Sequence, residues 1–293
     1  HLQQLEMMLS KQKPQWAERI HTALIVAGGK ESFGQLARVL NDNKELCPKT
    51  LKRYLGCFGW ESLSATVDLL GELEFASHRL AVCDYLSGAG PQYVDIIAKG
   101  IYDRHWFVVR NTVSILARIG GEKPLSYLEK AICHHEARVR IEVAKGLLDT
   151  ITEGNRDILA ELVWDGDETV SKTVIEGILK HRDDTALDII KEVINDDRFA
   201  MLSDLDQQMF LVSFSRLAGE RAVGYLTKLI SEWRLMPSRF EEFYQQAAFV
   251  ALAHNRSKAA EAVLLRYGRS LRKKIRRLAA QALALRREII YGE

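Results

Sequence analysis

Arg266, Arg269, Arg272, Lys273, Lys274, Arg276, Arg277, Arg286 and Arg287 follow one another near the carboxyl end of the chain with no acidic residue among them. Steps of three and four place Arg269, Arg272 or Lys273, and Arg276 along one side of a helix, opposite Leu271, Ile275, Leu278, Ala282 and Leu285. A basic face of this kind attracts polyanions, whether nucleic acid, anionic lipid or an acidic protein patch. Arg269, Arg272, Lys273, Arg276 and Arg277 are therefore the candidate contacts for an anionic partner; the competing reading is the solvated outer face of a last helix. The opposite sign gathers between Asp149 and Asp206, in Asp165-Asp167-Glu168, Asp183-Asp184 and Asp196-Asp197, so the formal net charge of +2 covers a dipolar chain. Asp165, Asp167 and Glu168 form a candidate acidic patch, suited to a basic partner.

Reaction chemistry is less well served. His134-His135 could contribute to a metal site, but neighbouring residues on a turn point apart and no third ligand stands at metal-site spacing. Glu241-Glu242 and Asp183-Asp184 suit a solvated surface better than an acid-base couple. GxSxG, HExxH and phosphate-cradling glycine loops are absent, and His21 and His254 read as packed residues of helices. The expectation is a chain without catalytic residues, metal or cofactor. Cys47, Cys57, Cys83 and Cys133 lack CxxC spacing and read as buried free thiols of a reducing, cytoplasmic compartment. Trp16, Trp60, Trp106, Trp164 and Trp233 read as packing residues, with Trp106, beside His105 and Phe107 at a turn, as the best candidate contact among them.

These residues are positioned by a repeating element. An aliphatic residue followed by arginine recurs at Val109-Arg110, Val139-Arg140 and Ile275-Arg276, with a degraded copy at Val170-Ser171-Lys172, at intervals of about thirty residues or multiples of it. A second register agrees, since the segment from Ile119 to Leu128 reappears from Leu217 to Leu226. In the clearest copy, from Pro91 to Gly121, Tyr93, Ile96, Ile97 and Ile101 make one apolar stripe and Val109, Val113, Leu116 and Ile119 a second. Two helices per copy follow, closed by Gly120-Gly121 and restarted at Pro124.

With 293 residues, 47% apolar and 27% charged, the chain has enough material for a core and is neither disordered nor fibrous. Five prolines and 19 glycines are too few for a sandwich of short strands. No apolar run is long enough to cross a bilayer, and no export signal opens the chain. Residues 1–30 are expected to form a cap or linker, with Leu2, Leu5, Met8 and Leu9 as a covering stripe, and residues 31–293 one continuous array. A start at His1, with the apolar stripe behind it, is read as the cytoplasmic part of a larger, membrane-tethered protein.

Helix pairs of this length, with the aliphatic-Arg step in the second helix and an acid just before it, resemble the HEAT and HEAT-like repeat family from about Trp60 to Arg287. The resemblance implies an all-α, right-handed α-α superhelix of about seven to eight hairpins. It also implies a ladder of polar contacts between repeats, carried by Asp103 with Arg110 and by Glu136 with Arg140, and broken at Ser171. The function it implies is a non-enzymatic scaffold that holds a protein or peptide on its concave face. Alternatives within such folds are a DNA-binding enzyme of the alkylpurine glycosylase class and a phycobilin lyase. The dipolar charge also permits head-to-tail self-association.

Overall fold

The computed structural model describes residues 14–58, 62–231 and 239–292. Leu2, Leu5, Met8, Leu9, Trp60, Trp233 and Pro237 lie outside them, as does the side chain of Glu241. All regular structure among the described residues is helical. The chain divides into two compact units, residues 1–150 with 166–170 and residues 151–165 with 171–293. Thr150 is followed by a turn that closes on itself: Asn155 accepts the Thr152 N–H at 2.8 Å and returns its own N–H to Thr152 O at 3.2 Å.

The first unit contains α1 (Pro14–Ala27), α2 (Lys30–Asp42), α3 (Pro48–Leu55), α4 (Leu63–Glu72), α5 (Ala76–Leu86), α6 (Val94–Ile97), α7 (Trp106–Ile119), α8 (Glu122–Ala131) and α9 (Ala137–Leu148). First helices of successive hairpins pack as α2 on α4 and α4 on α6; second helices pack as α3 on α5, α5 on α7 and α7 on α9. The second helices thus stack on one another along the unit, and α5, α7 and α9 each meet the first helix of their hairpin, which is a solenoid arrangement. Val109, Val113 and Leu116 of α7 are fully buried, each contributing on the order of 1.5–3 kcal/mol relative to exposure. Gly120 and Gly121 hold φ of 68° and 95°, left-handed angles that glycine adopts without a Cβ penalty.

The first helix of the Pro91–Gly121 repeat is less regular than its apolar stripe predicts. It runs as a 3-10 turn (Pro91–Tyr93), the short α6, and a second 3-10 turn (Ala98–Tyr102). Gly100 in that last turn lies so close to α7 that a Cβ there would overlap Thr112 Oγ1, and Thr112 is completely buried. Gly100→Ala is therefore expected to destabilise the protein by about 1–3 kcal/mol through overpacking. At an open helical site the same change stabilises by roughly 0.4–1 kcal/mol. A thermal melt shows which sign holds, and an unchanged or raised Tm would mean that Thr112 yields without cost.

The second unit contains α10 (Arg156–Leu162), α11 (Glu168–Lys180, its first turn grouped with the first unit), α12 (Asp184–Asn195), α13 (Asp204–Ala218), α14 (Glu220–Ser231), α15 (Arg239–His254), α16 (Lys258–Gly268) and α17 (Lys273–Tyr291). Here α13 packs on α15 and α15 on α17, while α10 packs on α12 and α14 on α16. The connection after Asp196 is ordered as a 3-10 turn, Asp197–Met201, started by Asp196 accepting the Arg198 N–H at 2.8 Å. No helix among the described residues is long and apolar enough to cross a membrane.

Candidate functional site

The turn into a second helix leaves carbonyls that the helix itself cannot satisfy, and the repeated arginine reaches back to them. Arg79 Nη1 donates to Leu73 O at 2.6 Å and Glu74 O at 2.9 Å. Arg140 Nη1 donates to His134 O at 2.6 Å and His135 O at 3.3 Å, and Arg276 Nη1 to Ser270 O at 3.0 Å. Ser171 and Gln207 do the same work from shorter side chains, bonding Val163 O and Leu202 O at 2.7 Å each. Charge-assisted bonds of this kind are worth about 1.5–3 kcal/mol.

Arg110, one period from both Arg79 and Arg140, breaks the pattern. It donates to Asn111 Oδ1 at 3.1 Å and lies 5.8 Å from the Trp106 ring centroid. The Asp103–Arg110 contact implied by the HEAT resemblance is not formed. Asp103 Oδ1 instead accepts the His105 N–H at 2.7 Å and meets His105 Nδ1 at 2.9 Å, so the turn is closed from within. Glu136 likewise takes Arg138, at 2.8 Å.

Arg110 faces a cleft of about 290 Å³ formed by α5, α7 and α9, with Arg79, Asn111, Ser114, Arg118 and Glu142 among its lining. Arg118 is engaged by Asp84 at 2.6 Å. Among the described residues neither Arg79 nor Arg110 is paired with a carboxylate, and Glu142, the one acid of the lining, makes no ion pair with either. Burial, and then the nearby Arg110 charge, hold the Arg79 guanidinium below its ordinary range, yet it stays protonated. Asn111 is only 6% exposed and its Nδ2 has no hydrogen-bond partner, an omission that costs about 1–3 kcal/mol. Two like charges and an unused buried donor are the complement of a carboxylate or phosphate oxygen. Aromatic rings border the site: Arg79 lies 5.7 Å from the Phe107 centroid, and Arg138 stacks on Trp106 at 3.8 Å.

The residues singled out by sequence are placed differently. Arg269, Arg272, Lys273, Arg276 and Arg277 are all exposed at the start of α17, where the helix dipole adds positive potential to theirs. Arg276 is also a turn cap, Lys274 pairs with Glu242, and Arg286 is buried instead of belonging to the basic face. Leu271, expected on the apolar side, precedes the helix and is 98% exposed. The acidic cluster acts largely as helix starts: Asp167 accepts the N–H groups of Thr169 and Val170, and Asp183 that of Ala186. Asp165 is half-buried and Glu168 exposed. The rings of His134 and His135, expected to diverge, stack with centroids 4.3 Å apart, and no metal-binding group of three His, Cys, Asp or Glu occurs among the described residues. Trp164, like Trp106, carries an arginine, Arg198 at 4.7 Å. Arg79, Asn111 and Glu142 were not flagged by sequence; Arg79 could have been found, because it stands one period before Arg110.

Of the four cysteines, expected buried, only Cys83 is; Cys47 and Cys133 are exposed and all four are free. Burial pushes the Cys83 thiol up to about 11, leaving roughly one thiolate in a thousand at pH 8. Cys47, ahead of α3, is held below its ordinary range by the backbone N–H of Thr50 and then of Lys49. Iodoacetamide at pH 8 is expected to label Cys47 at least about tenfold faster than Cys83, as read by peptide mass spectrometry; equal rates would show that the core opens faster than alkylation.

No family model matches this chain, and no curated protein matches its sequence. Among solved structures it is similar to human deoxyhypusine hydroxylase in complex with glycerol, with 14% identity, 88% of this chain and 98% of the other covered, and a TM-score of 0.34. It is also similar to an engineered protein, with 14% identity, coverage of 98% and 88%, and a TM-score of 0.36. A second engineered protein gives 16% identity, 88% and 97%, and 0.22. The fold class stands on the helix order and packing above: an all-α helical-repeat solenoid. The glycosylase alternative gains no support from these likenesses.

Proposed function

We propose that this protein is a non-enzymatic binding scaffold whose first unit holds an acidic protein segment on the face formed by α5, α7 and α9. The observation that carries this reading is Arg110, the repeat arginine withdrawn from turn capping and set beside Arg79 without a carboxylate partner. The supporting features are the unpartnered amide of Asn111, the bordering Trp106 and Phe107, and the exposed Leu80 on the cleft wall. Mixed aromatic and arginine surfaces of this kind are favoured in protein recognition. Glu142 opposite the guanidinia favours a partner that presents its carboxylates at defined positions over a uniform polyanion.

Fluorescence anisotropy with a labelled Asp/Glu-rich peptide tests this reading, with a Lys-rich peptide as control. Saturable binding of the acidic peptide that weakens between 50 and 300 mM salt and is lost in Arg110→Glu supports it. Equal binding by Arg110→Glu would overturn it.

A further inference from the structure

The second unit has its own cleft, of about 280 Å³, and its lining has no carboxylate. Arg182 and His181 enter from the segment after α11, Arg216 from α13, His254 from the end of α15 and Arg256 from the turn after it. Ser213 lies one helical turn before Arg216 on the same face of α13, and Ser257 stands at the start of α16. Ser257 Oγ accepts the Ala260 N–H at 3.2 Å and so keeps its own proton to donate.

The geometry is fixed from beneath. Asn255 is completely buried; its amide donates to Ser215 O at 2.9 Å and Gly219 O at 2.7 Å and accepts the Ser257 N–H at 2.9 Å. Arg286 of α17 donates to Asn255 O and, at 3.1 Å, to Ser257 O. These bonds clamp the turns carrying Gly219 and Arg256–Ser257 to one another, so the cationic groups converge on a framework that does not depend on a ligand.

We infer that this cleft binds a small tetrahedral dianion, the phosphate group of a phosphomonoester. Three guanidinia, two imidazoles and two hydroxyls approach from four segments, more donors and more directions than a planar carboxylate can use. A proton is coupled to binding. His254 is half-buried, and burial, then the Arg216 charge, hold its imidazole below its ordinary range. The charged groups around it are Arg216, His181, Arg182 and Arg256, with buried Arg286 beneath the turn; Asp183 meets His181 at 3.6 Å, and Glu220, which opens α14, is outside the lining. A bound dianion stabilises the imidazolium, so binding takes up a proton and affinity falls as pH rises.

Sulfate tests this without ambiguity, because it is dianionic at both pH 5.5 and pH 7.5. Titration calorimetry of the intact chain in 150 mM chloride is expected to give saturable sulfate binding that weakens several-fold, up to about tenfold, between those pH values. His254→Gln is expected to reduce the pH dependence and the double variant His181→Gln/His254→Gln to abolish it, and Arg216→Ala, at an exposed position, to lose binding by at least about tenfold with an unchanged melting curve. Phenyl phosphate and phosphatidic acid vesicles separate the sources: competition by phenyl phosphate marks a soluble phosphomonoester, and competition by vesicles alone a lipid headgroup. Absence of saturable binding, or binding indifferent to Arg216→Ala, would overturn the proposal.

Discussion

Arg286→Ala is expected to lower stability by about 3 kcal/mol, although its neighbour Arg287 is replaceable within roughly 0.5 kcal/mol. The adjacent arginines differ in what they touch. Arg287 is exposed, whereas Arg286 is 5% exposed and donates to the carbonyls of Asn255 and Ser257. Truncation leaves both acceptors without that donor, at about 1–3 kcal/mol each when water cannot replace it, and removes the packed aliphatic stem. Asn255 would lose its restraint while still holding Ser215 and Gly219, so the damage should spread to both turns. For a chain of this size the loss corresponds to a Tm lower by roughly 6–12 °C. Arg286→Lys should recover only part of it, because an ammonium cannot span two carbonyls as the planar fork does. Equal melting curves for Arg286→Ala and Arg287→Ala would contradict the network.

The second large effect separates two arginines that the sequence presents as equivalent. Arg110→Ala is expected to weaken binding of an acidic peptide by about 10- to 100-fold, or 1.4–2.8 kcal/mol, and to change stability by no more than about 0.5 kcal/mol. Arg140→Ala is expected to do the reverse. Arg140 satisfies two turn carbonyls, so its loss should cost about 1.5–3 kcal/mol of stability and leave affinity within about twofold of wild type. Arg110 satisfies no turn carbonyl, and its removal also relieves the like charge beside Arg79. Charge reversal at Arg110 should deepen the binding loss further by repelling the peptide. Urea denaturation and anisotropy on the same two variants give the crossed pattern or deny it; a parallel loss of stability and binding in both would return Arg110 to a purely structural role.

The spacing of about thirty residues made the helical hairpins legible, and in the clearest copy, Pro91 to Gly121, the second helix and its Gly120-Gly121 end lie where it predicted, while the first is interrupted by 3-10 turns. Composition and apolar stripes were enough for that, because a hairpin is a local structure and its buried stripe follows from a period of 3.6 residues. The same reasoning correctly separated Val109, Val113 and Leu116 as core. It did not anticipate the 3-10 turns around α6, since close approach of Gly100 to Thr112 is a contact between helices.

The runs at Asp165–Glu168 and Arg269–Arg277 drew attention by density, and two of those groups, Asp167 and Arg276, cap the helix or turn next to them in the chain. The two clefts draw instead on scattered single residues, Arg79, Arg110 and Glu142 in one unit and Arg182, Arg216 and His254 in the other. What the sequence alone determined was the repeating helical element and the residues of its core, because both depend on neighbours within one or two turns. Which arginines cap a turn and which are left facing a cleft was decided only by tertiary structure. That choice depends on which acceptors the folded chain brings within reach, the side-chain oxygen of Asn111 for Arg110 and the carbonyls of His134 and His135 for Arg140, and on what the next helix places opposite.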